Sequence, residues 1–282
     1  MLADLIYDVG LHDGTDTRHY LDRGYRVVAV EANPVFVARA RDQFADEIAA
    51  GQLVIVESAV GPEVGRVLFW VNDDNTEWSS LNEAEGARYG TRAHVIEVDC
   101  VRFDSVVEQH GVPYYLKIDI ERASSHCLQA LSPPDIPAYV SIEAHTVGYL
   151  GMLSWLGYDQ FKLIDQRTHR AIERHPEGSA RRFPPEQWRD RGHRLRASGE
   201  RVARHIPGAR RTYRALFDVA AREAKAAMET RSFGASGPFA EDTRGEWRAL
   251  DEVAFDYLRL RTPDNPSWYD FHARIRPEQI GQ

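Results

Sequence analysis

The sequence predicts an α/β fold in which helices cover both faces of a mostly parallel sheet. Over the first 165 residues, short apolar runs rich in β-branched side chains alternate with stretches of helical periodicity. This alternation is typical of parallel sheets, because each helix carries the chain back to the edge where the next strand begins. The predicted strands are Leu5–Val9, Arg26–Val30, Leu53–Val56, Tyr114–Ile120, Tyr139–Ile142 and Phe161–Ile164.

The stretches between these strands carry the helical patterns. The predicted helices are Thr15–Arg23, Val35–Ala50, Phe103–Gln109, Ser124–Leu131 and Val147–Leu156. One interruption follows Gly61, where a strand-like piece, Arg66–Val71, leads into the polar stretch "NDDNTEWSSLNEAEGARYG". We interpret this part as an excursion from the core rather than as a core helix.

The alternation stops after residue 165, and this change predicts the domain organisation. Helical candidates follow at Arg210–Arg231 and Glu246–Leu260, and "SWYDFHARI" then alternates large apolar and polar residues like a final strand. We therefore predict a core of residues 1–165 with 264–282, and a largely helical lid over residues 166–263 that covers the substrate. Insertions of this length are often functional.

Composition limits the partners and the compartment. A net charge of −8 argues against general nucleic-acid binding, and no apolar run approaches the roughly 20 residues of a membrane helix. The sequence begins in a strand pattern without the features of a signal peptide, and Cys100 and Cys127 are too few for a disulfide framework. We expect a cytoplasmic protein that binds a small molecule, with a homodimer as an open possibility.

The turn after the first predicted strand indicates a nucleotide site. It reads D-V-G-L-H-D-G, with Gly10 and Gly14 but without the G-x-G-x-x-G of dinucleotide sites. Glycines permit a tight turn and close approach of a ligand to the backbone. Glu31 ends the second strand, where a carboxylate can accept hydrogen bonds from two ribose hydroxyls. The loose glycine spacing suits a ligand without a pyrophosphate, above all S-adenosylmethionine; ordinary turn chemistry is the alternative.

Six motifs in order extend this interpretation to a family. With "DVGLHDG", "VVAVEANP", "ESAVG", "SSL", "YLKIDIE" and "VSIEAH", the sequence resembles the FkbM-type S-adenosylmethionine-dependent methyltransferases over about Ile6 to Ile164. The resemblance implies a class I (Rossmann-like) methyltransferase fold, with a seven-stranded sheet whose last strand is antiparallel. It also implies O-methylation of a hydroxyl group on a sugar or a natural product (secondary metabolite).

The resemblance further implies which residues hold the cofactor. The turn residues would surround its methionine part, Glu31 would bind the ribose, and Ala32 and the "ESAVG" motif would lie near the adenine. A solvated turn is the alternative for Ser79 and Ser80. The residues assigned to the cofactor are Asp8, Gly10, His12, Gly14, Glu31, Ala32, Ser58, Ala59, Ser80 and Asp119.

Ionisable residues lie at the ends of two neighbouring predicted strands, and this is where we expect the acceptor. Ligands of open α/β sheets bind outside the carboxyl ends of the strands, where Asp119, Glu121, Glu143 and His145 would meet. His145 is the candidate general base, with Asp119 and Glu143 as further catalytic candidates. Alternatively, these three residues hold a divalent cation, although no spacing is diagnostic for a metal. In a third interpretation, His145 and Glu143 only form ion pairs in the core.

The sequence departs from the family after "KIDIE", where glycine, a small residue and an acid usually follow. Here Arg122, Ala123 and Ser124 occupy these positions. Arg122 would contact an anionic acceptor or lie on the surface. The functional alternatives are N- or carboxyl-methylation, and a non-catalytic protein that binds the cofactor as a partner.

Overall fold

The computed structural model describes residues 1–173, 236–261 and 268–276. The strands are β1 Leu2–Val9, β2 Arg26–Glu31, β3 Leu53–Glu57, β4 Ala59–Val60, β5 Gly65–Asn72, β6 Ala93–Val101, β7 Pro113–Ile118, β8 Tyr139–Glu143, β9 Gln160–Asp165, β10 Arg170–Ala171 and β11 Tyr269–Arg274. The α-helices are α1 Thr15–Asp22, α2 Pro34–Gln43, α3 Ala45–Ala49, α4 Glu83–Gly86, α5 Phe103–His110, α6 Ser124–Ala130, α7 Gly148–Trp155 and α8 Leu250–Leu260.

The central sheet has eight strands in the order β10-β9-β11-β8-β7-β1-β2-β3. Strands β3, β2, β1, β7 and β8 run parallel to one another, whereas β11 lies antiparallel between β8 and β9. This confirms the class I methyltransferase fold, a mostly parallel sheet with an antiparallel last strand. The short β10 adds an eighth strand to the seven predicted, because two residues that return beside β9 leave no apolar run to detect.

Apolar side chains cover both faces of this sheet, since alternate residues of a strand point to opposite faces. On one face Tyr7 and Val9 belong to a cluster with Phe103 of α5 and Leu128 of α6. On the other face Ile6 packs with residues of α1 and α2. Among the described residues, no helix is long and apolar enough to cross a membrane.

The predicted excursion is a β-hairpin with its own small sheet. β5 and β6 pair antiparallel, and β4 joins β6 in parallel. Phe69, Val71, Val98 and Cys100 are the buried side chains of its apolar side. β6 was missed because polar residues interrupt "AHVIEVDCV" and only two of its nine side chains are buried.

Part of the predicted lid belongs to the body of the fold. Val253, Ala254 and Tyr257 of α8 are buried in the same cluster as the core strands. The helix predicted from residue 246 begins at Leu250, because Arg248 pairs with Phe161 of β9 through two backbone hydrogen bonds of 2.8 and 2.9 Å. The candidate helix Arg210–Arg231 lies outside the described residues, and the lid there stays a prediction.

Phe239 ties the segment 236–247 to the sheet. Its ring is 2% exposed, stacks on Tyr115 with centroids 4.9 Å apart, and meets Tyr20 edge-on at 5.1 Å. Such aromatic contacts add to the hydrophobic gain of burial. The segment is therefore part of the core on the α1 side of the sheet.

We expect Phe239→Ala to lower the free energy of unfolding by about 3–5 kcal/mol, because it removes a buried ring and leaves a cavity. Guanidinium denaturation monitored by circular dichroism measures this change. Trp155→Ala is the matched control: its ring is 79% exposed, so its effect should stay within about 0.5 kcal/mol. Equal effects of the two variants would show that Phe239 does not anchor the segment.

Candidate functional site

A row of buried polar residues crosses five strands on the α1 side of the sheet. Strand register pairs Asp8 with Lys117, Lys117 with Ser141, Ser141 with His272, and His272 with Lys162. All five residues are 4% exposed or less. Buried charges are costly unless they are paired, so their partners determine what the site can do.

The next row towards the carboxyl ends of the parallel strands consists of three carboxylates. Asp119 directly follows β7, Glu143 ends β8, and Asp270 lies opposite Glu143 on β11. Asp270 reaches this edge because β11 is antiparallel, so its beginning lies beside the ends of β7 and β8. We call Asp119, Glu143 and Asp270 the acidic row.

Lys117 is the centre of the ion pairs beneath the acidic row. Its Nζ lies 3.0 Å from Asp8 Oδ1, 3.2 Å from Asp16 Oδ2 and 4.0 Å from Asp119 Oδ2, and it donates to the carbonyl oxygen of Gly10 at 3.0 Å. Burial alone would lower the pKa of Lys117, but the carboxylates of Asp8 and Asp16 outweigh it and raise this pKa. The ammonium group is therefore charged, and its hydrogen bonds and ion pairs are already made within the protein. Asp16 was not singled out in the sequence, where nothing distinguishes it from other acids in first helical turns.

Asp8 supports the site from below. It is 0% exposed, and its second oxygen accepts a hydrogen bond from Thr17 Oγ1 at 2.6 Å. This leaves no surface for the direct contact with the cofactor that was assigned to Asp8. Its carboxylate instead holds Lys117 in place.

Gly10 and Gly14 are required by the packing of the chain itself. Gly10 has a φ of +93°, and a Cβ there would lie 2.0 Å from the carbonyl oxygen of Asp119. Gly14 has a φ of +81°, and a Cβ there would lie 2.7 Å from the ring of Phe44. Glycine is the residue that adopts this conformation without strain. The turn thereby brings the end of β1 against the end of β7.

Glu31 has the geometry expected of a ribose-binding carboxylate. Its Oε2 accepts a hydrogen bond from the backbone N–H of His12 at 2.9 Å, and its Oε1 accepts one from Asn33 at 2.7 Å. Burial raises the pKa of Glu31, while these two backbone donors act in the opposite direction. Each oxygen keeps a second lone pair, so the fixed carboxylate can accept two further hydroxyl groups. The side chain thus fits the diol of S-adenosylmethionine.

His12 connects this turn to the hairpin. Its φ of +50° is in the left-handed region, and its Nε2 lies 3.0 Å from Thr76 Oγ1. Its ring packs against Phe36 of α2, with centroids 4.5 Å apart. Burial lowers the pKa of His12, which favours the neutral ring. His12 therefore closes one side of the space above Glu31.

The serines assigned to the cofactor have structural partners. Ser80 is 4% exposed and its backbone pairs with Trp70, so the solvated turn does not describe it. The backbone N–H of Ser58 donates to the carbonyl oxygen of Glu31 at 2.9 Å, and its hydroxyl donates to Ala59. These bonds hold the hairpin against β2 and β3. Contact with the cofactor stays a prediction for Ser58, Ala59 and Ser80.

Ala32 follows Glu31 and packs, half-buried, against the small sheet. A cavity of about 440 Å³ opens between β3 and this sheet, with Ser58, Arg66 and Cys100 in its lining. Of the residues assigned to the cofactor, it contains Ser58 alone. We therefore do not equate this cavity with the cofactor or acceptor site.

His145 lies between two carboxylates. Its Nε2 is 2.9 Å from Glu143 Oε2 and 3.4 Å from Glu121 Oε2. Burial alone would lower the pKa of His145, but these carboxylates, Glu143 first, outweigh it and raise this pKa. A raised pKa favours the imidazolium form, which has no free lone pair at Nε2 to act as a base. The geometry therefore agrees with the ion-pair interpretation and disfavours His145 as the general base.

The group of possible metal ligands in the structure differs from the group expected from the sequence, which was Asp119, Glu143 and His145. Ligand atoms of Glu121, Glu143 and His145 lie within 4.8 Å of one another, whereas Asp119 is not in this group. Arg88 already binds Glu121 through two hydrogen bonds of 2.6 and 3.1 Å. Because a guanidinium neutralises this carboxylate, the group is less suited to a cation than three free ligands would be.

Arg122 does not lie free to bind an anion. Its Nε pairs with Glu85, which also lies 3.4 Å from Arg88 Nη1. The Arg122 side chain is 52% exposed. The structure therefore gives Arg122 the surface role that was the alternative to acceptor binding.

Asp119 is the open carboxylate of the acidic row. Its side chain is 39% exposed, and among the described residues its nearest cation is Lys117. Desolvation raises the pKa of Asp119 to about 7; Lys117 opposes this effect, whereas Glu143 and Glu121 reinforce it. Water at the exposed part screens these interactions. Asp119 is thus an accessible acid whose ionisation lies near neutral pH.

Asp270 was missed in the sequence. Its residue is 7% exposed, and burial together with Asp119 and Glu143 raises its pKa well above the usual value. The signal was present: a polar residue at the beginning of an antiparallel strand lies at the same edge as polar residues at the ends of parallel ones. The prediction of "SWYDFHARI" as a strand therefore contained Asp270 without using it.

Two solved methyltransferase structures are distantly similar to this chain. The precorrin-6y C5,15-methyltransferase of Geobacter metallireducens GS-15 is 14% identical, with 62% of this chain and 73% of that chain covered and a TM-score of 0.34. A SAM-dependent methyltransferase from Thiobacillus denitrificans, in complex with S-adenosyl-L-homocysteine, is 12% identical over 97% of this chain and 86% of that chain, with a TM-score of 0.31. These values are too low to carry an argument, and the fold assignment rests on the strand order.

Family membership has firmer support. No curated protein matches the chain. The family model described as the methyltransferase FkbM domain, however, matches residues 8–167, more than half of the 282 residues. The matched range contains the glycine turn, Glu31, Asp119 and the Glu143–His145 pair. The chain therefore belongs to the FkbM family of S-adenosylmethionine-dependent methyltransferases.

Proposed function

We propose that this methyltransferase methylates a hydroxyl group of a small molecule, a sugar or a natural product, and that Asp119 is its general base. The observation that carries the proposal is the position of Asp119, an accessible carboxylate at the carboxyl edge of β7 with a pKa of about 7. A base is most effective when its pKa lies near the working pH.

When bound, S-adenosylmethionine supplies an electrophilic methyl group on its sulfonium. Glu31 would hold the ribose, and the turn from Gly10 to Gly14 would face the methionine part. With the cofactor bound, Asp119 would take up the proton of the acceptor hydroxyl group as that oxygen receives the methyl group. The exposed side of the Asp119 carboxylate then lets the proton leave to water.

The other catalytic candidates have supporting roles in this proposal. Burial alone would raise the pKa of Glu143, but His145 outweighs it and lowers this pKa. Glu143 is therefore ionised beside the imidazolium, and the pair forms a fixed wall of the acceptor site. Holding the acceptor in line with the methyl group can account for much of a rate enhancement.

N-methylation is the second candidate, because the acidic row favours a protonated amine over an anion. Asp119 and Asp270 make no hydrogen bond through their side chains within the described residues, so both can receive a donor. The same negative charge disfavours carboxyl-methylation, since two carboxylates would face each other. A non-catalytic function would not explain why Asp119, a partly exposed acid at the carboxyl edge of the sheet, has a raised pKa.

We expect incubation with S-adenosylmethionine and a panel of hydroxylated metabolites to yield S-adenosylhomocysteine and a product heavier by about 14 mass units, one CH₂ from the cofactor. Mass spectrometry detects both, and nuclear magnetic resonance of the product locates the methyl group. Methylation confined to nitrogen would favour the second candidate. Cofactor binding without any product would favour the non-catalytic function.

We expect Glu31→Gln to weaken S-adenosylmethionine binding about tenfold or more, because an amide replaces two charge-assisted acceptors and turns an NH₂ group towards backbone N–H donors. Isothermal calorimetry measures the affinity. Glu57→Gln is the matched control, since Glu57 is the register partner of Glu31 on β3 and pairs with Arg41 instead. Unchanged affinity in Glu31→Gln would refute the ribose assignment.

We expect the rate at saturating substrate to rise with pH through about 7 in the wild type, because Asp119 must lose its proton before it can act as a base. Asp119→Asn should lower this rate by about 10²–10⁴-fold and remove the rising limb. A pH profile of turnover tests both effects. If the limb persists in Asp119→Asn and disappears in His145→Asn, the base is His145.

A further inference from the structure

Asp270 is a buried carboxylate without a partner at the acceptor edge. It is 7% exposed, and among the described residues its side chain makes no hydrogen bond or ion pair. Register places it opposite Glu143 on β11 and on the same face of the sheet as Lys117 and Ser141. An ionised carboxylate is strongly unfavourable at such a position, so Asp270 holds its proton until a cation approaches.

The cations near Asp270 are already bound to other groups. Lys117 is held by Asp8, Asp16 and Gly10, and His145 lies between Glu143 and Glu121.

Lys162 and His272 belong to the row of buried polar residues next to the acidic row. Lys162 donates to the carbonyl oxygen of Thr243 at 2.6 Å and lies over the ring of Trp247. Burial lowers the pKa of His272 to about 3, so this ring is neutral. The described groups around Asp270 therefore offer no unoccupied cation to its carboxyl group.

The position of Asp270 points to the acceptor rather than to the cofactor. The residues assigned to S-adenosylmethionine lie on β1, β2, β3 and the hairpin, and at the end of β7. Asp270 lies beyond them, two strands from β7 in the order β11-β8-β7. Neighbouring strands are about 4.8 Å apart, so roughly 9–10 Å separates the backbone of Asp270 from that of Asp119. One monosaccharide-sized ring fits this separation.

We propose that Asp270 binds a protonated amino group of the acceptor, and that the acceptor is therefore a hydroxylated amine of the amino-sugar class. This inference rests on the proposed function, in which a hydroxyl of the same acceptor faces Asp119. A cation relieves the mutual repulsion of Asp119, Glu143 and Asp270, which a neutral hydroxyl does not. The charge-assisted hydrogen bond also satisfies an acceptor that the described residues leave unsatisfied.

The raised pKa of Asp270 links its burial to a pH dependence of stability that can be measured. Burial raises its pKa, so the folded chain binds this proton more tightly than the unfolded chain. Stability then falls as pH rises from the unfolded value of about 3.9 through the folded value. The titratable or charged groups facing Asp270 are Asp119 of β7 with Lys117, Glu143 of β8, Asp16 of α1, His272 of β11 and Lys162 of β9.

The first test is thermal melting of the full chain as a function of pH. We expect Asp270→Asn to raise the melting temperature at pH 8 by about 2–4 °C and to change it less at pH 5, because the variant removes the repulsion without changing shape. Asp42→Asn removes an exposed acid of α2 and should leave the melting curve unchanged at both values. A lower melting temperature for Asp270→Asn would assign Asp270 a structural role and overturn the proposal.

The second test uses protein saturated with S-adenosylhomocysteine and two sugars that differ in one group, D-glucosamine and D-glucose. We expect calorimetry to show glucosamine binding about tenfold or more tighter, and Asp270→Asn to remove this difference. Binding of the amine should also release about one proton from the wild type, seen as a dependence of the heat on the buffer, and none from Asp270→Asn. Equal affinities of the two sugars, or no measurable binding of glucosamine, would overturn the proposal.

Three further outcomes separate this inference from the proposed function. Asp270→Asn should leave the affinity for S-adenosylhomocysteine unchanged, and a loss of that affinity would place Asp270 at the cofactor instead. If wild type and Asp270→Asn methylate glucosamine and glucose equally well, hydroxyl methylation stands and the amine site is wrong. If neither protein binds the cofactor, the proposed function itself fails.

Discussion

The buried ammonium group of Lys117 is the interaction on which the site depends. It joins Asp8 of β1, Asp16 of α1 and the glycine turn at one point. Asp16 in turn accepts two hydrogen bonds from Ser236, which lies 220 residues away in the sequence. Removing one partner of a buried ion pair commonly costs about 3–5 kcal/mol, because it leaves an uncompensated charge. The pairs therefore fix the end of β1, the start of α1 and the returning chain relative to one another.

The chemistry at the carboxyl edge of the sheet follows from which cations pair with which carboxylates. Lys117 forms ion pairs with Asp8 and Asp16 beneath the acidic row. Arg88 forms an ion pair with Glu121, and His145 lies between Glu143 and Glu121. Within the described parts of the chain, these ion pairs leave Asp119 partly exposed to solvent and Asp270 buried without an ion-pair partner. Glu121 also adopts a φ of +55°, a strained conformation for a residue with a side chain. This strained residue lies at the same edge of the sheet as the proposed acceptor site, where local departures from good packing and pairing are expected.

The sequence predicted the strands well where burial on both faces produces continuous apolar runs, as in β1, β2, β7 and β8. It missed β6, whose side chains are mostly exposed, and β10, which is too short to have a pattern. It also assigned the stretch around Phe239 and α8 to a lid. A helix that packs on the core and a helix that covers a ligand show the same apolar periodicity, so composition did not distinguish them.

The sequence by itself determined the family, the glycine turn and the carboxylate at Glu31, because these depend on residues near one another in the chain. Only the tertiary structure decided which charges surround each residue at the carboxyl edge of the sheet. It places His145 between two carboxylates, gathers Glu121 rather than Asp119 with Glu143 and His145, and adds Asp270 to the acidic row. The physical reason is that a pKa depends on burial and on charges within a few ångströms. In this fold those charges come from strands and helices far apart in the chain.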